Sequence, residues 1–198
     1  MPKIVDHEKR KIKIAEATWK VIVDEGIENA TVRKIAQACG LSVGALRHYF
    51  SSQTELLHFS MGLVSERVIE RLKRRKISKD QISLEFLMEG VSEVLPINEE
   101  RKREMEVWLA FSAKVLVDTK LRELSNKVYK DMHQGFENVV QALKLLNIIK
   151  DELDLDLEVN RLHAIVDGMA IHHLLNPEQF THDKMIETLK YHLQSLCK

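Results

Sequence analysis

The stretch Thr31-Val-Arg-Lys-Ile-Ala-Gln-Ala-Cys-Gly-Leu-Ser-Val-Gly-Ala-Leu-Arg-His-Tyr-Phe50 decides how the chain is read. It holds two short helical segments separated by Gly40 and Leu41. Each opens on a residue whose side-chain oxygen can accept from the free N–H groups of a first helical turn, Thr31 for one and Ser42 for the other. Gly40 suits the positive φ with which a helix is left, Leu41 supplies an apolar plug for the corner, and Ala36 is small enough for two helices to cross closely. Ile35, Leu41, Leu46 and Phe50 are expected to point inward. Leu46 and Phe50 lie four apart on one face of the second segment, which turns Val43, Gly44, Ala45 and Arg47 outward near its amino end. The layout is that of a helix-turn-helix, whose outward end enters the major groove of DNA.

Beyond this stretch, three- and four-residue apolar spacing predicts an all-α chain of about nine helices. Asp6 is placed as the cap of a helix running to Glu25 and closed by Gly26. The two helices of the motif follow, ending at Gly40 and near Phe50. Ser52 and Glu55 form a Ser-x-x-Glu capping box that opens a helix carrying Leu56, Phe59 and Leu63 toward Lys76. Longer helices are read at 80–95, 99–117, 120–149, 158–175 and 182–197, with Pro96 and Pro177 as stops. The expected domains are a three-helix head over 1–52 and a helical body over 53–198. Only 7 Gly and 3 Pro in 198 residues are too few for a loop-rich β-sandwich, and 44% hydrophobic with 30% charged residues excludes a disordered chain.

Thirty Lys and Arg balance thirty Asp and Glu, and a net charge of zero speaks at first against a polyanion-binding protein. Divided at residue 80, the sum separates into 16 basic and 10 acidic residues, +6, followed by 14 and 20, −6. A basic first part on an acidic body is expected where only the first part touches nucleic acid. The charged start has no apolar run of a secretion signal, and no stretch approaches the length of a membrane span. Cys39 and Cys197 lack Cys-x-x-Cys spacing, so reduced thiols in a cytoplasmic protein are expected.

The Thr31–Phe50 pattern, continued by Ser52-Gln-Thr-Glu-Leu56, resembles the amino-terminal domain of TetR-family transcriptional regulators over about residues 8 to 60. That signature reads Thr-x-x-x-Ile-Ala-x-x-Ala-Gly-Val-Ser-x-Gly-x-Leu-Tyr-x-Tyr-Phe, then Ser-Lys-Glu-x-Leu. Cys39 replaces an Ala, and Arg47 stands where Tyr is common, offering a forked donor to guanine or phosphate. Gln53 and Thr54 interrupt Ser-Lys-Glu, removing a phosphate-neutralising Lys. Ala45-Leu-Arg-His-Tyr-Phe50, Glu106-Val-Trp-Leu-Ala-Phe111 and Val166-Asp-Gly-Met169 further resemble the BetI-like subgroup.

In such a head Val43 and Ala45 meet thymine methyls, Gly44 admits close backbone approach, Arg47 reads bases, and Ser42 caps the reading helix. Thr31, Lys34, His48 and Tyr49 are expected at phosphates, and Lys9, Arg10, Lys11 and Lys13 either add long-range attraction or form a solvated face. Because one such motif reads few base pairs, a homodimer on a pseudo-palindromic operator in double-stranded DNA is expected. Ile186, Leu189, Leu193 and Leu196 on the last helix, with Leu162, Val166 and Met169 beside Ala164, Gly168 and Ala170 on the helix before, form seams for a partner chain or for an intrachain core. The resemblance implies pairing of these two helices as a four-helix bundle, repression, and release from DNA by a small-molecule effector. Phe86, Met105, Trp108, Phe111, Tyr129, Met132, His133 and Phe136 are candidates for its pocket, although a Met and aromatic stripe also suits plain core.

Other classes fit less well. A carboxylate-bridged di-iron enzyme needs two Glu-x-x-His spacings, and Glu55-Leu-Leu-His58 is one. His163 with Asp167, or His172 with His173, lacks the three or four convergent donors of a metal site. Asp151–Glu158 lacks the glycine of an EF-hand loop and reads as an acidic connector. A helical adaptor leaves the Thr31–Phe50 pattern unexplained. No catalytic residue, metal or cofactor is expected.

Overall fold

The computed structural model describes residues 2–75 and 82–198. Among them it contains nine α-helices: α1 Pro2–Glu25, α2 Val32–Ala38, α3 Val43–Arg47, α4 Gln53–Arg74, α5 Leu84–Ser92, α6 Glu99–Val115, α7 Arg122–Leu145, α8 Leu155–Leu175 and α9 His182–Leu196. The expected reach of α4 to Lys76 and the expected start of α5 at residue 80 lie outside the described residues.

Several boundaries differ from the sequence reading, and three of them have a clear local reason. Asp6 is not a cap, because α1 already runs from Pro2, and proline's fixed φ and missing N–H suit a first helical position. α7 stops at Leu145 rather than 149, because Asn147 takes φ 56. Ile148 N–H then donates to Leu143 O at 3.1 Å and Asn147 N–H to Lys144 O at 2.9 Å, which closes a Schellman turn without glycine. α8 starts at Leu155 rather than 158, since Asp154 accepts from Leu157 N–H at 3.1 Å, so part of the acidic connector is helix.

The chain forms two compact units, Met1–Arg67 with Glu106–Asn126, and Val68–Met105 with Lys127–Lys198. Both α4 and α6 contribute residues to each. In the first unit Ile14, Trp19, Ile22, Ile35, Leu46, Phe50, Leu56 and Met61 are buried. Trp19 Nε1–H donates to Ser60 O at 2.9 Å, and the Arg67 guanidinium lies 4.7 Å from the Trp19 ring centroid while pairing with Glu16. In the second unit, Arg71 donates to both oxygens of the buried Glu104 carboxylate at 3.0 and 2.7 Å. Glu93 faces Arg71, Arg75 and Arg101 together. Burial alone would lower the affinity of Arg71 for its proton, but the bonds and charge of Glu104, with Glu93 and Glu100, raise it.

The core of the second unit corrects the expected dimer seam. Leu162, Val166, Met169, Leu189, Leu193 and Leu196 are all buried within one chain, and Ile186 packs partly buried against them. Residues without accessible surface in the monomer have none to cover against a partner. The exposed stripe of α8 lies on another face and carries Leu157 at 61%, Ile171 at 38% and Leu175 at 65% exposure, with Ala164 and Gly168 between them.

His192 of α9 is 3% exposed and neither ring nitrogen has a hydrogen-bond partner. Burial, with the nearby charge of Arg161, pushes its pKa down from 6.5 to about 4. Between those values the unfolded chain holds a proton that the folded chain does not, so this group contributes stability above pH 6.5 that is lost as pH falls toward 4. The contribution is about 3 kcal/mol on the linkage relation. Urea unfolding of wild type and His192→Leu at pH 7 and pH 4.5 checks this. The variant is expected to lose distinctly less stability on acidification, and an equal loss in both proteins would remove His192 as the source.

Candidate nucleic-acid interface

The site is built on one turn. α2 ends at Ala38, and Gly40 follows with φ 64. Leu41 N–H donates to Ala36 O at 2.8 Å and Gly40 N–H to Gln37 O at 3.1 Å, the two bonds of a Schellman motif. A Cβ on Gly40 would meet nothing within 4 Å, so the glycine is required by its dihedral and not by crowding. Thr31 Oγ1 accepts from Lys34 N–H at 3.3 Å and Ser42 Oγ from Ala45 N–H at 3.1 Å, which fixes where both helices begin.

α3 then faces as its sequence requires. Leu46 and Phe50 are buried with Ile35, and Leu41 is half-buried at the corner. Val43, Gly44, Arg47 and His48 are exposed, Ala45 and Tyr49 half-buried, and Thr31 and Ser42 lie exposed at their caps. The Tyr49 ring packs 4.9 Å from that of His7. Arg47 carries no hydrogen bond or ion pair among the described residues, so its guanidinium is available to a ligand. Lys34 is engaged by Glu25 and by Asn29 Oδ1 at 3.3 Å. Arg33, absent from the sequence-derived set, is exposed on α2 and also unpaired; its place two residues after the Thr31 cap was the available signal.

The departures from the family pattern have structural consequences. Gln53 Nε2 donates to Ala30 O at 2.9 Å, joining the start of α4 to the start of α2. Ser52 Oγ accepts from Glu55 N–H at 3.1 Å, but Glu55 reaches back to Ser51, one residue earlier than a capping box requires, accepting from its N–H and hydroxyl at 2.7 Å each. Those Ser51 bonds hold the Glu55 carboxyl below its usual range. Burial pushes the half-buried Cys39 thiol up, and Cys39 forms no disulfide. Lys11 lies 5.6 and 5.5 Å from the Phe50 and Phe59 ring centroids rather than standing free.

The structure also trims the charge argument. Arg71 and Arg75, counted with the basic first part, belong to the second unit and pair there with Glu104, Glu93 and Glu89. The excess of +6 therefore overstates what the motif offers to a polyanion.

Of the pocket candidates, Trp108 and Phe111 belong to the first unit, with ring centroids 6.1 Å apart. Phe86, Met105, Tyr129, Met132, His133 and Phe136 belong to the second, where the Arg75 guanidinium covers the Phe86 ring at 4.7 Å. Tyr129, His133 and Phe136 gather around His163 of α8, at 4.9, 5.8 and 4.9 Å between centroids. Burial pulls the His163 pKa down despite Asp167, whose carboxylate lies 3.6 Å away, and His133 adds to the lowering. Nδ1 of His133 is buried without a partner. Among the described residues no three His, Cys, Asp or Glu side chains converge as a metal site, and no helix is long and apolar enough to cross a membrane.

A capped, glycine-cornered helix pair with an exposed and unpaired arginine on its second helix defines a helix-turn-helix DNA-binding protein. Residues 14–58 match the pattern of bacterial regulatory proteins of the tetR family, and residues 84–198 match that of the BetI-type transcriptional repressor C-terminal domain. Over 197 residues, spanning this whole chain and 94% of the relative, the sequence is 42% identical to the HTH-type transcriptional regulator PksA of Bacillus subtilis (strain 168). A crystal structure of a transcriptional regulator from Rhodococcus sp. Rha1 superposes with TM-score 0.79 at 25% identity, covering 94% of this chain and 95% of that one. One from Saccharomonospora viridis, solved in complex with choline, gives 0.77 at 22% identity and covers 95% of each. The chain belongs to the TetR family of transcriptional regulators.

Arg47→Ala is expected to reduce discrimination between operator and random duplex by about 1–3 kcal/mol. Titration of both DNAs at one salt concentration measures it; equal weakening on both would make Arg47 a backbone contact.

Proposed function

We propose that this chain acts as a homodimeric repressor that binds a pseudo-palindromic operator in double-stranded DNA and is released by a small-molecule effector. The exposed, unpaired Arg47 beside Val43 and Gly44 on α3 carries the DNA-binding part, because a base-reading helix needs uncommitted donors on its outer face. Val43, Gly44, Ala45 and Arg47 face bases, while Thr31, Arg33, Lys34, Ser42, His48 and Tyr49 position the head on phosphates. The match to a BetI-type repressor domain supports repression, and the structural relative solved in complex with choline supports a small-molecule effector. In the second unit the rings of Tyr129, His133 and Phe136 around His163 are the groups best placed to orient an effector, with the unpartnered His133 Nδ1 as a polar handle. Such an effector lowers operator occupancy only if it binds the non-operator conformation more tightly.

The dimer forms through the exposed stripe of α8 together with the outer face of α9, where Tyr191 is 78% exposed. Ala164 and Gly168 leave room for a second backbone, and a Cβ on Gly168 meets nothing within its own chain. Gly168→Gln should therefore fold as a monomer while obstructing the partner. Sedimentation is expected to show wild type at twice the 23.0 kDa chain mass and the variant at the chain mass with unchanged helicity. Wild type at 23.0 kDa would end the dimer claim. Recovery of bound genomic DNA tests the regulator itself and is expected to return a small set of promoter fragments; uniform genomic background would contradict it.

A further inference from the structure

Lys34 lies one helical turn beyond Thr31 and beside the unpaired Arg33, where a phosphate contact is proposed. Its ammonium is closed into a ring of three residues. Nζ donates to the Glu25 carboxylate and, at 3.3 Å, to Asn29 Oδ1, while Asn29 Nδ2 donates back to Glu25 O at 2.7 Å. Glu25 is the last residue of α1, and a carboxylate there faces the negative end of the helix dipole, with no basic residue in the same turn to offset it. Lys34 supplies that offset from the next helix.

We infer that the Glu25 carboxylate stands in for a DNA phosphate, occupying Lys34 until the duplex arrives and thereby setting the strength of DNA binding. The inference rests on the reading of this head as DNA-binding. The contact is suited to exchange, because both side chains are close to half exposed, 41% for Lys34 and 45% for Glu25, and exposed ion pairs contribute little to stability. The turn carrying Asn29 does not depend on it. The bond from Asn29 Nδ2 to Glu25 O holds that turn from one side, and Glu28 in the same turn accepts from Lys114 Nζ at 2.8 Å on the other. Lys34 can leave Glu25 and Asn29 for a phosphate oxygen without undoing either anchor. No second ammonium is available from position 53, where the resembled pattern has Lys, because the residue there is Gln, whose neutral amide donates to Ala30 O.

The test uses the full chain and a duplex of arbitrary sequence, which reports phosphate contacts without base readout. By fluorescence anisotropy over a salt series, Glu25→Gln is expected to bind about two- to fivefold more tightly than wild type, the range of a surface ion pair. Lys34→Gln is expected to bind more weakly, with a salt slope shallower by about 0.9. Glu25→Gln combined with Lys34→Gln is expected to match Lys34→Gln alone. Unchanged affinity in Glu25→Gln would overturn the inference. So would an equal gain in the Lys34→Gln background, which would mean that removing a repulsive charge, and not releasing Lys34, was responsible. Wild type that binds no duplex in a salt-sensitive way would sink the DNA-binding reading and this inference with it, an outcome distinct from a wild type that binds while Glu25→Gln changes nothing.

Discussion

The positive φ of Gly40 is the constraint on which the DNA-reading surface depends. It ends α2, aligns the two Schellman bonds, and lets Ser42 begin a new helix two residues later. A residue with a Cβ would meet no neighbour there, yet the left-handed conformation would cost it about 1–2 kcal/mol. Once the corner is made, the four-residue spacing of Leu46 and Phe50 determines which side of α3 is buried, and Val43, Gly44 and Arg47 are turned outward by default. Function at the head is thus a consequence of what the core takes first.

Charge pairing determines which cations remain for DNA. Arg67, Arg71 and Arg75 lie within the basic first part of the sequence, but each is bound to a carboxylate of its own unit. Lys11 covers phenylalanine rings, and Lys34 is tied to the end of α1. Arg33 and Arg47 are left uncommitted within the motif. α6 carries Glu104, clasped by Arg71 in the second unit, and Lys114, bonded to Glu28 in the first. A single helix therefore bears an ionic anchor in each unit.

The helices of the motif were legible in the sequence because their ends are marked by local chemistry: Thr31 and Ser42 accept from their own first turns, and Gly40 leaves a helix in the only way glycine makes cheap. Where the reading erred, the determining contact was tertiary or the marker unusual. Asn147 performs a glycine's task at the end of α7, and nothing in its neighbours announces it. The apolar stripes of α8 and α9 suit either a partner chain or an intrachain core, and the richer stripe is taken by the chain's own core. Spacing alone cannot say which of two apolar faces a protein keeps for itself. The same limit applies to Lys34, whose motif position was visible but whose partner nine residues earlier was not, and to Tyr129, His133 and Phe136, whose meeting point on His163 comes from another helix.

Two copies of this head are proposed to read one operator through α3. A footprint of the chain on a promoter fragment recovered from genomic DNA tests it most directly. Two protected half-sites should appear, separated by about one helical turn of DNA or a multiple of it, with two chains bound per site. A single unpaired patch bound by one chain, or protection that ignores sequence, would contradict the account.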